Sequence, residues 1–150
     1  MANKYKLALF VCGVVVIGWI IGWLNIPGEW YAKLQKPSFN PPNWIFSPVW
    51  TVLYVLIGIV GWRVWTKTQH PGLKALWICQ MLLNFAWSPA FFGMQNIGLG
   101  LAIIMLLCLN IVLFIGMARS RDVYSAVLFV PYLGWVGFAT VLNITILRLN

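Results

Sequence analysis

Three apolar segments of the sequence carry polar and aromatic residues at intervals of three or four positions. Such spacing places side chains along one face of an α-helix. Amide and indole groups within a membrane must find partners, so these faces should point into a helix bundle. Aromatic walls of this kind suit a flat, conjugated and mostly apolar ligand. The three stripes are Ser47, Trp50, Tyr54 and Gly58; Gln80, Asn84, Trp87 and Phe91; and Tyr132, Trp135, Ala139 and Asn143.

The stripes also have an explanation that needs no ligand. Asn and Gln side chains commonly bond across helices in membranes, and for any single residue this is the simpler interpretation. The coincidence of three stripes favours a cavity, because converging indole rings leave an irregular space that Gly58 and Ala139 would widen.

The residues needed for acid–base or metal chemistry are sparse. Glu29 and Asp122 are the only acidic residues, and the predicted topology places them in loops on opposite membrane faces, where they cannot form a carboxylate pair. The single histidine, His70, precedes a loop proline and is more simply a solvated residue than a haem ligand. We therefore predict no metal site and no resident cofactor.

The three cysteines fall inside apolar runs, and none belongs to a CxxC pair. Small core residues are the simplest interpretation, rather than a disulfide framework or a zinc site. They are Cys12, Cys79 and Cys108.

The composition indicates that lipid is the solvent. Of the 150 residues, 62% are hydrophobic and 8% are charged, whereas a soluble domain carries about a quarter of charged residues. Charged residues are absent from residues 7–28, 37–62, 75–118 and 123–147. A membrane-spanning helix needs roughly 20 apolar residues, so the third run holds two spans, separated near residues 93–96.

We thus predict an all-α membrane protein in which residues 1–150 form one domain, a bundle of five transmembrane helices. The first apolar run is long for a signal peptide and no A-x-A cleavage site follows it, so it is interpreted as a retained helix. Pro131 is expected to kink the last helix. The predicted spans are about 6–24, 44–65, 73–92, 97–117 and 123–149.

The longest loop, residues 25–43, contains four prolines and is therefore expected to be ordered. Residues 29–35 can form a short interfacial helix with Trp30 and Leu34 on one face, and the loop is expected to act as a lid.

The net charge of +8 is explained by basic residues at the ends of the spans, not by nucleic-acid binding. The positive-inside rule then places the N-terminus in the cytoplasm. On that face lie Lys4, Lys6, Arg63, Lys67, Lys74, Arg119 and Arg121, against Lys33, Lys36 and Arg148 on the other.

Ordered motifs along nearly the whole chain resemble the tryptophan-rich sensory protein/translocator protein (TspO/MBR) family, and ten tryptophans suit that name. The motifs are Trp30-Tyr31, Leu34, Lys36-Pro37, Pro41-Pro42, Trp44, Pro48-Val49-Trp50 and Leu53-Tyr54; Gln80, Leu83-Asn84, Trp87-Ser88-Pro89 and Phe91-Phe92-Gly93; and Val130-Pro131-Tyr132, Trp135, Phe138-Ala139-Thr140 and Leu142-Asn143.

The resemblance implies a five-helix bundle, usually a homodimer, in a bacterial cell membrane, with a pocket beneath the first loop. It implies porphyrins and haem precursors as ligands, and synthetic benzodiazepine-type compounds. The family's sterol motif has a tyrosine where this chain has Ile144, which argues against tight cholesterol binding. The pocket positions implied by motif match are Tyr31, Trp44, Trp50, Tyr54, Asn84, Trp87, Trp135, Ala139 and Asn143.

Three functions follow as hypotheses. The first is a membrane receptor or carrier for porphyrins, in tetrapyrrole transport, sensing or stress response. The second is a light-dependent porphyrin-degrading enzyme; some bacterial members of the family are reported to have this activity, which depends on tryptophans matching Trp50 and Trp135. The third is a structural or interaction protein with incidental ligand binding.

Overall fold

The computed structural model describes residues 2–150 and, within that range, contains helices but no strands. Five helices are long and apolar enough to cross a membrane. The predicted all-α, five-span architecture is confirmed. The helices are α1 (Ala2–Leu24), α2 (Glu29–Lys33), α3 (Phe46–Arg63), α4 (Pro71–Ser88), α5 (Ile97–Ala118) and α6 (Val123–Leu149).

Short irregular turns extend two of the spans. A 3-10 turn, Asn43–Ile45, leads into α3, and π-helical turns, Val64–Thr68 and Pro89–Gly93, follow α3 and α4. Helix α3 therefore begins before Pro48, and no side chain caps it. Pro48 lies in the first turn, where its missing N–H would have had no partner within the helix.

The helices pack into one bundle with a dense centre. We call the end that carries the N-terminus the base end and the end that carries the first loop the loop end. Completely buried side chains from α3, α5 and α6 belong to one apolar cluster, and the rings of Phe114 and Phe129 lie 4.4 Å apart in it. The fully buried members from these helices include Ile57, Val60, Ile111, Phe114, Phe129 and Val136.

Glycines let α1 approach α3 closely near the base end. A Cβ at Gly58 would lie 2.6 Å from the Val11 Cα, and a Cβ at Gly61 would meet the Trp77 ring at the same distance. Towards the loop end α1 loses this contact, because a Cβ at Gly22 would have nothing within 4 Å. Helix α1 is therefore held firmly at the base end and stands apart at the loop end.

An ion pair closes the base end. Arg63 Nη2 lies 2.6 Å from Asp122 Oδ1, and Thr68 and Ser125 also donate to this carboxylate. Asp122 caps α6 by accepting from the Ser125 backbone N–H. Burial raises the pKa of Asp122, but the hydrogen bonds from Arg63 and Ser125 outweigh it, so the pKa lies below its ordinary value. The pair ties the end of α3 to the start of α6.

Candidate functional site

A cavity of about 600 Å³ lies between α1, α3, α4 and α6 at the loop end. None of the residues that line it is charged. Rings, small residues and neutral polar groups form its walls. They include Gly18, Trp19, Gly22 and Trp23 of α1, Tyr31 of α2, Phe46, Ser47, Trp50, Thr51 and Tyr54 of α3, Asn84, Trp87 and Ser88 of α4, Phe91 of the π-helical turn after α4, and Ala139, Leu142, Asn143 and Ile146 of α6.

Most of the residues singled out in the sequence meet in this cavity. They come from three helices and the first loop, as helical spacing along one face requires. Seven of the nine positions line it: Tyr31, Trp50, Tyr54, Asn84, Trp87, Ala139 and Asn143.

Trp44 and Trp135 lie outside the lining. Trp44 belongs to the 3-10 turn before α3, and 72% of its surface is exposed. Trp135 packs between the rings of Phe46 and Phe138, at 5.8 and 5.6 Å. At 3.6 residues per turn it sits about 60° around α6 from Tyr132, further than the other members of its stripe. It borders a separate shallow apolar groove that contains Pro48 and Pro131.

The contribution of α1 to the cavity was not foreseen. The spacing of Gly18 and Gly22, four residues apart, indicates only close helix packing. Gly18 does pack, because a Cβ there would overlap the Tyr54 ring. The exposed indole groups of α1, Trp19 and Trp23, gave no sequence signal, since a lipid-facing tryptophan and a cavity-lining tryptophan look alike in a sequence.

The mouth of the cavity faces sideways. Trp19 and Trp23 line it, yet 59% and 73% of their surfaces are exposed. Lining residues of α4 and α6, such as Asn84 and Asn143, are buried. Beside the mouth, Trp19 Nε1 of α1 donates to Thr51 Oγ1 of α3 at 3.1 Å, while the bond from Trp62 Nε1 to Asn3 Oδ1 joins the same two helices at the base end. The opening therefore lies between these two helices and faces the bilayer.

The first loop covers the loop end. Its short helix, α2, confirms the expected helical segment and buries Tyr31 against the rings of Phe91 and Phe92, at 6.1 and 5.3 Å. Burial raises the pKa of Tyr31, although a hydrogen bond to Asn40 opposes this. Lys36 Nζ lies 4.5 Å from the centre of the Tyr31 ring.

The side chain of Asn150 fastens the same loop to the end of α6. Its Oδ1 accepts from the Gln35 backbone N–H at 2.9 Å, and its Nδ2 donates to the Gln35 carbonyl at 3.0 Å. A two-point contact of this kind resembles the pairing of two backbone amides and holds one residue of the loop in place.

Polar groups form the floor of the cavity. Tyr54 donates to Asn84, and behind them Tyr132 and Gln80 extend a buried hydrogen-bonded chain. The last two belong to the predicted stripes but lie beneath the lining rather than in it. Asn143 donates to the Ala139 carbonyl of its own helix.

The chemistry available in the cavity is that of binding. The Trp87 and Phe91 rings are stacked, 5.2 Å apart and 18° from parallel, and Trp50 and Tyr54 lie 5.5 Å apart. No group of three or more His, Cys, Asp or Glu able to hold a metal is found in residues 2–150. The walls thus offer ring faces and neutral hydrogen-bonding groups to a guest.

Comparison with known proteins agrees with the architecture. Residues 9–149 match the TspO/MBR family. The tryptophan-rich protein TspO of Archaeoglobus fulgidus is 40% identical over 152 residues, and that of Chlorobaculum tepidum 43% over 156, each covering 99% of both chains. The translocator protein of Homo sapiens is 36% identical over 149 residues, covering 89% of this chain and 84% of its own. With five spans, an aromatic cavity and relatives along its whole length, this integral multi-pass membrane protein belongs to the TspO/MBR family.

Proposed function

We propose that this protein is a membrane receptor or carrier that binds a porphyrin or a related tetrapyrrole in the cavity beneath its first loop. The observation that carries the proposal is the cavity of about 600 Å³ walled by aromatic rings. Small-molecule sites typically have volumes of about 300–1,000 Å³ and mostly apolar walls. The name of the human relative, translocator protein, agrees with a binding and transport role.

The ring geometry favours a planar guest. Stacked and edge-to-face contacts with flat conjugated molecules use the same ring surfaces that Trp87 and Trp50 present. The uncharged lining requires the carboxylates of a porphyrin to remain outside it, because burying an unpaired charge is very costly. Lys36, on the loop beside Tyr31, supplies a cation at that end.

The test is a titration of the protein in detergent micelles with protoporphyrin IX, followed by tryptophan fluorescence. We expect saturable quenching of the tryptophan fluorescence. The affinity should fall about 10-fold in Trp50→Ala, since one aromatic contact contributes up to about 1.5 kcal/mol beyond the effect of burying its surface. Trp135→Ala is the matched control, because that indole lies outside the lining. An affinity that Trp50→Ala and Trp87→Ala both leave unchanged would reject this cavity as the site.

Light-dependent degradation of the bound porphyrin is a second candidate, favoured by the position of Trp50 in the lining. An excited porphyrin there would lie beside an oxidisable indole, with dissolved oxygen as the oxidant. Illumination of the complex should yield products different from those of free porphyrin, and Trp50→Phe should slow their formation more than Trp135→Phe does. Identical products and rates with and without protein would exclude an enzymatic role.

A further inference from the structure

A chain of four polar side chains begins at the cavity floor and ends outside the cavity. Tyr54 donates its hydroxyl proton to Asn84 Oδ1 at 3.4 Å, and Asn84 Nδ2 donates to the Tyr132 hydroxyl at 2.7 Å. Tyr132 in turn donates to Gln80 Oε1 at 2.9 Å. All four side chains are buried, and Gln80 and Tyr132 have no exposed surface. Hydrogen bonds in such a dry environment are strong and reinforce one another.

The direction of the chain follows from the orientation of the Gln80 amide, whose oxygen faces Tyr132 while its buried Nε2 has no hydrogen-bond partner among the described residues. A phenol has one proton to donate, whereas an amide has a donor end and an acceptor end. Because Tyr132 gives its proton to Gln80, it can only accept from the amino end of Asn84. The carbonyl end of Asn84 is then left for Tyr54, whose only proton points away from the cavity. The lone pairs of the Tyr54 oxygen are the part of the chain that remains free for a guest.

We propose that Gln80, which does not line the cavity, makes its floor a hydrogen-bond acceptor and thereby selects guests that carry an N–H donor on their inner edge. The proposal rests on the proposed function, because it requires a flat guest in the cavity. The class of guest is an aromatic heterocycle with a pyrrole-type N–H. Gln80 is a positioning residue, since it acts through Tyr132 and Asn84.

Removing the acceptor at position 80 reverses the donor-to-acceptor direction of these hydrogen bonds. In Gln80→Met the thioether sulfur is only a weak acceptor, so the Tyr132 proton turns to Asn84, whose amide then presents its carbonyl end to Tyr132. The amino end of Asn84 donates to the Tyr54 oxygen, and the Tyr54 proton turns towards the cavity. Methionine is unbranched and close to glutamine in length, so packing is retained. The floor thus changes from an acceptor into a donor.

The experiment compares carbazole and acridine, two flat tricyclic compounds whose ring nitrogen is a donor in the first and an acceptor in the second. Their affinities for the whole protein in detergent micelles are measured by calorimetric titration. The ratio of the two affinities is compared between proteins, so that partitioning into micelles cancels. We expect the parent protein to bind carbazole about 5-fold more tightly than acridine, which is the affinity difference that one neutral hydrogen bond provides. The Gln80→Met variant should bind acridine more tightly than carbazole.

Two variants serve as controls. Asn110→Leu removes another buried amide, on α5 and outside the chain, and should leave the ratio unchanged. Tyr54→Phe removes the floor oxygen and should abolish the preference for carbazole. If Gln80→Met does not fold, this second variant decides, because a preference that survives the loss of the oxygen overturns the proposal.

Protoporphyrin IX is titrated into the same preparations to separate two kinds of failure. Equal affinities of the parent for carbazole and acridine, or an affinity ratio that Gln80→Met leaves unchanged, overturn the role of Gln80. If protoporphyrin IX still binds in that case, the proposed function stands. If neither protoporphyrin IX nor the tricyclic compounds bind, the proposed function fails and the role of Gln80 fails with it.

Discussion

The same substitution, glycine to alanine, should have opposite effects at two positions one turn apart on α1. A Cβ at Gly18 would overlap the Tyr54 ring, and even the third-nearest ring atom, Cδ2, would be 2.7 Å away. Carbon atoms pack best at about 3.5–4.0 Å, so the ring must move by about 1 Å. Tyr54 is also bonded to Asn84 and packed on Trp50, which limits how far it can move. A Cβ at Gly22 would meet nothing within 4 Å.

The expected changes in the free energy of unfolding of the two variants follow from these contacts. Overpacking costs about 1–3 kcal/mol, whereas alanine in place of a helical glycine contributes about 0.5–1 kcal/mol. We therefore expect Gly18→Ala to lower the free energy of unfolding by about 1–2 kcal/mol. Gly22→Ala should raise it by about 0.5–1 kcal/mol. Reversible unfolding in mixed micelles, followed by circular dichroism, measures both. Equal stabilities for the two variants would refute the close contact between α1 and Tyr54.

Four further outcomes are expected. Gly22→Phe, which blocks the sideways mouth, should slow uptake of protoporphyrin IX from vesicles about 10-fold relative to Gly13→Phe, a control with similar open space; equal rates would contradict entry between α1 and α3. Arg63→Met leaves the buried Asp122 carboxylate unpaired and should lower the unfolding free energy by about 3–5 kcal/mol. The pKa of Asp122 is depressed in the fold, so its stabilising effect should persist at neutral pH and be lost on acidification below its ordinary pKa; a melting temperature independent of pH between 7 and 3 would refute this. Asn150→Ala removes both bonds to the first loop and should speed porphyrin release by a few fold in stopped-flow measurements, whereas an unchanged rate would show that the loop is held elsewhere.

The number of spans could be predicted because charge is so costly in hydrocarbon that charge-free runs mark the membrane segments. All five predicted spans begin and end within about four residues of those observed, as expected for helix boundaries assigned from sequence alone. The first predicted span ends at Leu24, as α1 does, but α1 already begins at Ala2.

Helical periodicity predicted most of the residues that line the candidate cavity. The same periodicity explains why a predicted residue can lie outside the lining. A spacing of three or four residues allows a stripe to drift around the helix, which is why Trp135 leaves the lining while Ala139 and Asn143 stay. The position of Trp44 rested on motif resemblance alone, at the first residue of a predicted span and outside the three stripes. Periodicity gave no information there.

Contacts between distant segments were beyond prediction from the sequence. Arg63 and Asp122 are 59 residues apart, and nothing in either neighbourhood indicates that they meet. The overlap of Gly18 with Tyr54 likewise depends on which helices become neighbours and at what depth. Periodicity determines the face of a helix, whereas the choice of partner depends on the packing of the whole bundle.

The dense base end has a consequence for how any guest could cross the bilayer. Fully buried side chains of α3, α5 and α6, among them Ile57, Phe114 and Phe129, fill the half of the bundle below the cavity. A molecule that enters at the loop end would therefore meet a closed end of the cavity and would leave through the same opening. Passage to the opposite leaflet would require these helices to separate.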